Sequence, residues 1–285
     1  VDFDTTATLS TTNGTSLSSG TNSTVTGTNY SNYFDAIESY SFNIMGIAST
    51  DDTIKSLAVN FCKRLRDELG VKFQLVVYDY VSADYIGVIS IANKCTDGMT
   101  VSDNTETYPN ESALVYWVTG AESSADVSTS VQNQIYDGEY TVDADYTQNE
   151  LSSAISAGEF ILHKQNNDIR VLADVNTLTT TTETLTDIYK SNQTIRIIDR
   201  LANDDAAIFT NKYLGKIQNN EAGRSALWLD LLKVRQDLQK SNAIDTFDES
   251  SLVISKGQTN DSVVISNVVT IISSMSKLYI TTTVI

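Results

Sequence analysis

Apolar residues recur along this chain with two kinds of spacing, and each spacing predicts a different element. Apolar positions three or four residues apart lie on one face of a helix, whereas short unbroken apolar runs are typical of buried strands. Before residue 176, the helical spacing covers residues 31–40, 51–69, 111–125 and 147–157. The short apolar runs cover residues 42–47, 72–78, 86–91, 131–136, 159–163 and 169–173. Strands that alternate with helices in this way predict an α/β layout with a largely parallel sheet.

Short polar signals mark where several of these elements begin and end. Asp51 opens one helix, where an acidic residue interacts favourably with the helix dipole, and Gly70 closes it in the manner of a C-terminal cap. Thr147 and Glu150 have the spacing of a capping box. Residues 166–168 separate two short strands and predict a hairpin turn.

The second part of the chain has a different pattern. After a Thr-rich stretch at 177–186, two long helices are predicted at 192–213 and 220–241, followed by strands at 252–255, 262–272 and 277–285. We therefore expect an α/β domain over 29–176 and an α+β domain over 177–285, with two long helices and a terminal strand. Residues 1–28 are rich in Ser, Thr, Gly and Asn, a composition typical of a linker. Because the sequence starts with Val1 and not with an initiator Met, we expect this linker to follow a missing N-terminal part.

Charge and composition exclude some classes of partner. The chain has 36 acidic and 19 basic residues, a net charge of −17, so we expect neither nucleic acid nor an anionic membrane as a partner. No apolar run approaches the roughly 18 residues that a membrane-spanning helix needs. Cys62 and Cys95 are too few for a disulfide framework or a zinc cluster. Basic residues concentrate in 190–240, which holds nine of them and six acidic residues.

A search for catalytic chemistry finds no convincing centre. The dinucleotide-binding glycine motif, the phosphate-binding loop and the nucleophile elbow are all missing from the sequence. The single histidine, His163, stands beside a turn, Cys62 lies on the apolar side of its helix, and Cys95 is expected in a loop. The acidic pairs are best explained by helix starts, turns and solvated faces. We therefore expect no enzyme activity and no catalytic, cofactor-binding or metal-binding residue.

Two features point to assembly instead. A strongly β-prone segment ends the chain, and either it pairs with a neighbouring subunit or it is an ordinary strand of the chain's own sheet. The segment consists of Leu278, Tyr279, Ile280, Thr281, Thr282, Thr283 and Val284. Three basic residues, Lys212, Lys216 and Arg224, flank the turn between the two long helices, where they either face an acidic partner or are simply solvated.

Several stretches resemble one known family. They lie at 73–80, 84–89, 136–138, 157–160, 174–178, 195–199, 202–204, 211–216, 219–224 and 277–283. In their order and spacing they closely resemble contractile tail sheath proteins of phages and phage-tail-like bacteriocins. The resemblance covers about residues 25 to 285.

This resemblance implies a fold and an assembly. The α/β region is expected to be subtilisin-like without a protease triad, and the C-terminal domain to lie towards an inner tube. Family members polymerise as stacked six-subunit rings around that tube, joined by extended arms, and contract without a cofactor. The implied partners are other copies of the chain, the inner tail tube protein, and baseplate and tail terminator proteins. The implied location is the virion tail, after assembly in the bacterial host cytoplasm.

The resemblance also gives the two ambiguous features a role. It implies that residues 278–284 donate a strand to a neighbouring subunit, and that Lys212, Lys216 and Arg224 contact an acidic tube surface. Gly257 and Asn260 are candidate hinge positions for the moving arm. Two other functions stay open on the residues alone: a non-polymerising α/β binding module and a degenerate hydrolase-like domain. The oligomeric state distinguishes both from a sheath subunit.

Overall fold

A five-stranded sheet is the centre of the first part of the molecule. The computed structural model describes residues 25–100, 107–109 and 111–284. Its strands are β1 (Ile44–Ile47), β2 (Gln74–Tyr78), β3 (Val88–Ile91), β6 (Glu159–Gln165) and β7 (Asp168–Ala173). Their order in the sheet is β1-β2-β3-β6-β7, in which the first four strands are parallel and the last is antiparallel. The predicted α/β layout is therefore present.

Helices cover both faces of this sheet, which explains the unbroken apolar runs of its strands. They are α1 (Gly27–Ile37), α2 (Asp52–Lys63), α3 (Leu114–Ser124) and α4 (Gln148–Ser156). In β2, Leu75 and Val77 pack in the cluster that contains α2, whereas Val76 packs in the cluster that contains α3. A short separate pair, β4 (Gly98–Thr100) and β5 (Thr107–Pro109), is antiparallel.

The predicted caps and turns are confirmed. Asp51 accepts the N–H of Thr53 at 2.8 Å, and α2 continues as a π-helical turn to Glu68, just before Gly70 at φ 75°. Thr147 and Glu150 form the predicted capping box. The hairpin between β6 and β7 turns through Asn166 in the left-handed conformation (φ 57°).

One predicted strand and one predicted helix in this part differ from the structure. The strand predicted at 131–136 is wrong, because residues 132–133 form a turn with Asn133 at φ 66°, leaving only an isolated bridge from Ile135 to Arg170. Helix α1 begins at Gly27, four residues before the predicted start, since Thr26 and Asn29 form a capping box there. The predicted linker up to residue 24 lies outside the described residues.

Two long helices build the second part. Helix α5 (Asn192–Ile208) continues as a π-helical turn to Tyr213, and α6 (Glu221–Lys240) follows after Gly215 at φ 68°. Both were predicted. Their apolar faces pack together in a third cluster that includes Ile197 and Leu231.

The C-terminal strands are shorter than predicted. Strands β8 (Val253–Lys256) and β9 (Val263–Ser266) form an antiparallel hairpin. The strand predicted at 262–272 stops at Ser266, where the Asn267 side chain accepts two bonds from Arg235, at 3.0 and 2.8 Å. The prediction of a strand over 277–285 is not met within this chain, because residues 277–284 have no strand partner among the described residues. In that described part, no helix combines the length and apolar character needed to cross a bilayer.

Candidate assembly surfaces

The C-terminal segment, residues 275–284, is exposed to solvent along its whole length. Its large apolar side chains are exposed, with Leu278 82%, Tyr279 87% and Ile280 76% accessible. Burial of apolar surface is the main favourable contribution to the free energy of folding. These exposed side chains therefore contribute no burial energy to the stability of this chain. The interpretation of the segment as a strand of the chain's own sheet is therefore wrong for the described residues.

Among the described residues, the last hydrogen bond to the body before this segment is made by Ser274. The Ser274 N–H donates to the Gln193 side chain at 3.0 Å, and Gln193 in turn donates to the carbonyls of Ser128 and Ile272. Gln193 lies in the first turn of α5 and is buried. The predicted hinge positions, Gly257 and Asn260, lie instead in the connection between β8 and β9.

The β8–β9 hairpin has one inner and one outer face. Ile254 pairs with Ile265, and the same face carries Val263, which packs against the helical core. On the other face, Val253 and Val264 are about half exposed. A two-stranded hairpin is marginal in water on its own. Among the described residues its strands pair only with each other, so a further strand has free backbone groups to bind.

The basic residues predicted to face a partner do lie around the α5–α6 turn, but they differ in accessibility. The Lys212 ammonium contacts Asp230 at 2.9 Å, and the Tyr213 hydroxyl donates to the same carboxylate at 2.8 Å. These two bonds lower the pKa of Asp230, and burial followed by the bond to Asp230 raises the pKa of Tyr213 to about 12. Lys212 is exposed but already paired within the chain.

Lys216 and Arg224 stabilise the turn itself. The exposed Lys216 donates to the Asn211 carbonyl at 2.7 Å. The half-buried Arg224 donates to the backbone and side-chain oxygens of Asn219, at 3.2 and 3.0 Å. Lys212 and Lys216 are therefore better placed than Arg224 to meet a partner.

An apolar groove lies beside this turn, and we call it the α5–α6 groove. Its volume is about 540 Å³, and it is bordered by the N-terminal end of α6 and the start of β9. The apolar residues that line it include Phe209, Tyr213, Leu214, Ile217, Leu227 and Val263. Leu214 and Ile217 remain at least half exposed. No local sequence pattern marks this groove, because its walls come from elements that are distant in the sequence.

Buried ionic contacts attach α5 to the elements around the sheet. Asp199 accepts two bonds from Arg66, at 2.5 and 2.8 Å. Arg196 donates to Glu122 of α3 at 2.5 Å. Burial, and then the neighbouring Asp174 carboxylate, raise the pKa of Glu122 well above its usual range. The second Glu122 oxygen has no hydrogen-bond partner in the described chain.

The residues considered for chemistry are dispersed. Cys62 lies fully buried in the α2 cluster, and burial raises the pKa of its thiol to about 12. Cys95 lies in the connection between β3 and β4 and is buried, which also raises the pKa of its thiol. His163 is half-buried, which lowers its pKa. No group of three or more potential metal-ligating His, Cys, Asp or Glu side chains occurs in the part of the chain that the structure describes.

Comparison with known proteins places this fold in a class of phage structural proteins. The family model of the phage tail sheath protein central domain matches residues 23–177, and that of the phage tail sheath C-terminal domain matches residues 184–285. The chain belongs to the phage tail sheath family. Members of this family are structural proteins and not enzymes.

Individual relatives agree with this assignment. A solved sheath tail protein from Desulfitobacterium hafniense is 34% identical with a TM-score of 0.76, over 90% of this chain and 60% of that one. The phage-like element PBSX protein XkdK of Bacillus subtilis is 28% identical, over 95% of this chain and 59% of its own length. The helical sheath of the anti-feeding prophage in the contracted state shares the fold, with a TM-score of 0.66 at 11% identity, over 90% of this chain and 74% of that one. The chain thus spans about three fifths of the length of the first two.

Proposed function

We propose that this chain is a structural subunit of a contractile tail sheath, which polymerises around an inner tube and contracts to drive that tube through a cell envelope. The observation that carries the proposal is the C-terminal segment, a β-prone apolar stretch with no strand partner among the described residues, in a member of the tail sheath family. Backbone pairing between subunits satisfies the free N–H and C=O groups of such a segment.

In this proposal the β8–β9 hairpin accepts the segment of a neighbouring subunit. The hairpin has free strand edges among the described residues and an apolar inner face. The region 29–176 is a subtilisin-like core without a protease triad, and 177–285 is the tube-proximal domain. The same proposal includes stacked six-subunit rings and baseplate and tail terminator proteins as partners. It also includes assembly in the host cytoplasm, after which the protein is part of the virion tail. The helical sheath of the anti-feeding prophage, which shares this fold, has been solved in a contracted state, and this supports contraction.

Deleting residues 277–285 tests the proposal directly. We expect the deletion variant to fold and to have an unchanged thermal unfolding temperature, since residues 277–284 are exposed. When the full-length protein carrying the deletion is co-expressed with its tube protein, we expect no striated sheath in negative-stain micrographs. Normal sheaths from the deletion would rule out strand donation.

A proline scan gives the matched control. Successive N–H groups of a strand point to opposite sides, so only every second one bonds to a given neighbouring strand. Proline removes the N–H, so only one of Thr281→Pro and Thr282→Pro should block assembly. Thr282→Val keeps the N–H and should assemble normally.

We also propose that Lys212 and Lys216 contact an acidic tube surface, with Arg224 holding their turn. The double charge reversal Lys212→Glu with Lys216→Glu should weaken tube attachment without preventing self-association. Lys240→Glu, at the opposite end of α6, is the control. Attachment that survives the double reversal in a co-sedimentation assay would contradict this contact.

A further inference from the structure

A buried polar network joins the two regions that the family models match, and Glu122 lies at its centre. Glu122 belongs to α3 in the central region, and Arg196 belongs to α5 in the C-terminal region. The Arg196 guanidinium donates to one Glu122 oxygen and also to the backbone carbonyls of Asp126 and Thr129. These two carbonyls lie in residues 126–131, which follow α3 and which we call the junction loop. One arginine thus holds α3, α5 and the junction loop together.

Asp174 is the second carboxyl group of this network. It follows β7, and its oxygens accept bonds from the Ser130 hydroxyl at 2.7 Å, the Val131 N–H at 3.2 Å and the Asn192 side-chain amide at 2.8 Å. Ser130 and Val131 belong to the junction loop, and Asn192 is the first residue of α5. The Asp174 carboxylate therefore binds the same loop and the same helix that the arginine binds.

The network has two carboxyl groups and one guanidinium, so it is neutral only when one carboxyl group carries a proton. Glu122 and Asp174 are both buried and are close enough to hydrogen-bond to each other. A carboxylate has no hydrogen to donate, whereas a protonated carboxyl group donates one bond. The Glu122 oxygen for which the described chain supplies no donor is thus explained when it carries the proton and donates it to Asp174.

The other charged groups at this junction are paired elsewhere or exposed. They line the pocket beside Glu122 and are Lys72, Asp126, Asp199 and Arg200. The aspartate and the arginine of α5 each have an ion pair of their own, the lysine donates to a backbone carbonyl, and the aspartate of the junction loop is exposed. Within the described chain, the cation bonded to Glu122 is therefore Arg196, and the carboxylate beside it is Asp174.

Loss of the shared proton would place a second negative charge in this buried site. A buried charge is stable only when a group of opposite charge compensates it, and Arg196 compensates one charge, not two. The junction loop is the part best able to move in response, because it is attached through the side chains of Asp174, Gln193 and Arg196. Repulsion between the two carboxylates would therefore weaken the attachment of this loop first.

The junction loop also reaches the start of the C-terminal segment through Gln193. The Gln193 side chain donates to the Ser128 carbonyl of the loop at 2.9 Å and accepts the Ser274 N–H at 3.0 Å. The Ser274 hydroxyl donates to the same Ser128 carbonyl at 3.5 Å. A displaced loop would remove this last bond and leave Gln193, which makes the other bond to Ser274, without its partner in the loop.

We propose that Glu122 and Asp174 form a proton-dependent latch, which holds the junction loop and the Ser274 anchor against the first turn of α5 and releases both when the shared proton is lost. Burial and the neighbouring Asp174 carboxylate raise the pKa of Glu122, so the latch is closed at low pH and opens as pH rises. This inference goes beyond the proposed function, because it concerns how one chain couples its two regions and does not depend on polymerisation.

Hydrogen exchange, measured by mass spectrometry on the full chain, tests the latch. The wild type is compared with Glu122→Gln at each pH from about 5 upward, where an ordinary carboxyl is already largely ionised. The chemical pH dependence of exchange cancels in the ratio of the two proteins. A glutamine side chain has an N–H to donate to Asp174 and an oxygen to accept from Arg196, so the latch of this variant stays closed.

The expected signature is a pH-dependent exchange ratio at two places. Opening that releases one proton becomes about tenfold more favourable for each unit of pH. We therefore expect the ratio of wild-type to Glu122→Gln exchange to rise with pH, by up to about tenfold per unit, in peptides that cover the junction loop and in peptides that cover Ser274.

Two comparisons make the result specific. Asp126→Asn removes an exposed carboxylate from the same loop and should exchange like the wild type at every pH. Helix α6 lies outside the network, so its exchange ratio should stay constant. If Glu122→Gln fails to fold, exchange of the junction loop in the wild type is divided by that of α6 in the same sample, and this quotient should rise with pH in the same way.

Three results would overturn the inference. A junction-loop ratio that stays constant with pH means that opening releases no proton. A ratio that rises equally in α6 means that the whole chain loses stability and that the junction holds no latch. A rise in the junction loop without one at Ser274 means that the two carboxyl groups do not control the anchor of the C-terminal segment.

Discussion

At the scale of single residues, the Glu122 side chain combines full burial with an incomplete set of hydrogen bonds. It is fully buried, bonded to Arg196 through one oxygen, and without a partner for the other in the described chain. Burial makes the charged form of a carboxyl unfavourable, and the nearby Asp174 carboxylate adds repulsion. The folded chain therefore holds a proton on Glu122 to higher pH than the unfolded chain does.

This raised pKa makes stability depend on pH. The folded state binds more protons above the unfolded carboxyl pKa, about 4.3, so the free energy of unfolding falls as pH rises from there through the folded pKa of Glu122. We expect Glu122→Gln to flatten this decline above about pH 5, where an ordinary carboxyl is already largely ionised, measured by urea unfolding at each pH.

Glu150→Gln is the control for the pH experiment. Bonds from Thr147 lower the pKa of the exposed Glu150, so this carboxylate is ionised throughout that pH range in both states. The control should unfold with the same pH dependence as the wild type. A Glu122→Gln variant with an unaltered pH profile would contradict the raised pKa.

Local features at the residue scale could be predicted from the sequence, but the buried ion pairs could not. The caps at Asp51 and Thr147 depend on residues two or three positions apart, so the sequence displays them directly. Arg66 and Asp199 are 133 residues apart, and neither has a neighbouring motif that marks it as buried. Burying a charged side chain costs desolvation energy, and this cost is offset only when the fold brings its partner of opposite charge into contact.

At the scale of elements, α5 is the junction of the molecule. Its Asp199 contacts Arg66 in the π-helical turn after α2, its Arg196 contacts Glu122 of α3, and its Asn203 donates to the Lys72 carbonyl at 2.8 Å. On its other side it packs against α6. The elements around the sheet and the two long helices are thus connected through one helix with buried polar bonds.

Breaking the Arg66–Asp199 pair should therefore be costly. Arg66→Ala leaves the Asp199 carboxylate buried and unpaired, which we expect to cost about 3–5 kcal/mol in the free energy of unfolding. The exposed Arg200–Asp204 pair on the same helix is the control, and Arg200→Ala should cost less than about 1 kcal/mol. Chemical denaturation compares the two. Similar small losses in both variants would contradict a stabilising role for the buried pair.

Elements with a strong internal pattern were predicted well, and those that depend on partners were not. Helices α5 and α6 carry long apolar stripes, and their tertiary packing follows those stripes. The strand predicted at 262–272 ends early because Arg235 binds the Asn267 side chain, a contact between an arginine and an asparagine that apolar periodicity cannot reveal. For the α5–α6 groove, the deciding contacts lie between distant elements, and the proposed partner of the C-terminal segment lies outside the single chain.

At the scale of the whole molecule, charge opposes association. Every copy carries a net charge of −17, so two copies repel each other at long range. Apolar contacts and backbone pairing are short-range and must overcome this repulsion. Added salt screens charges beyond about 10 Å at 0.1 M and leaves the short-range contacts largely unchanged.

Self-association should consequently strengthen with salt. We expect sedimentation velocity to show a larger associated fraction at 0.5 M than at 0.05 M sodium chloride, for the full chain but not for the chain lacking residues 277–285. The deletion variant serves as control because it keeps nearly all of the charge. Association that weakens with added salt would mean that ion pairs between copies dominate the contact.

The position of Ser274 has a mechanical consequence. In a row of subunits joined by the proposed strand donation, tension in the outgoing segment enters the body at Ser274, and so at the first turn of α5. Tension from the incoming segment enters near the opposite end of α5, where the groove and β9 lie. The helix then transmits force between the two connections. Its length is about 24 Å from Gln193 to Phe209, and this length sets the spacing between the incoming and the outgoing connection. Shortening α5 by one turn would change the geometry of every link in the lattice at once.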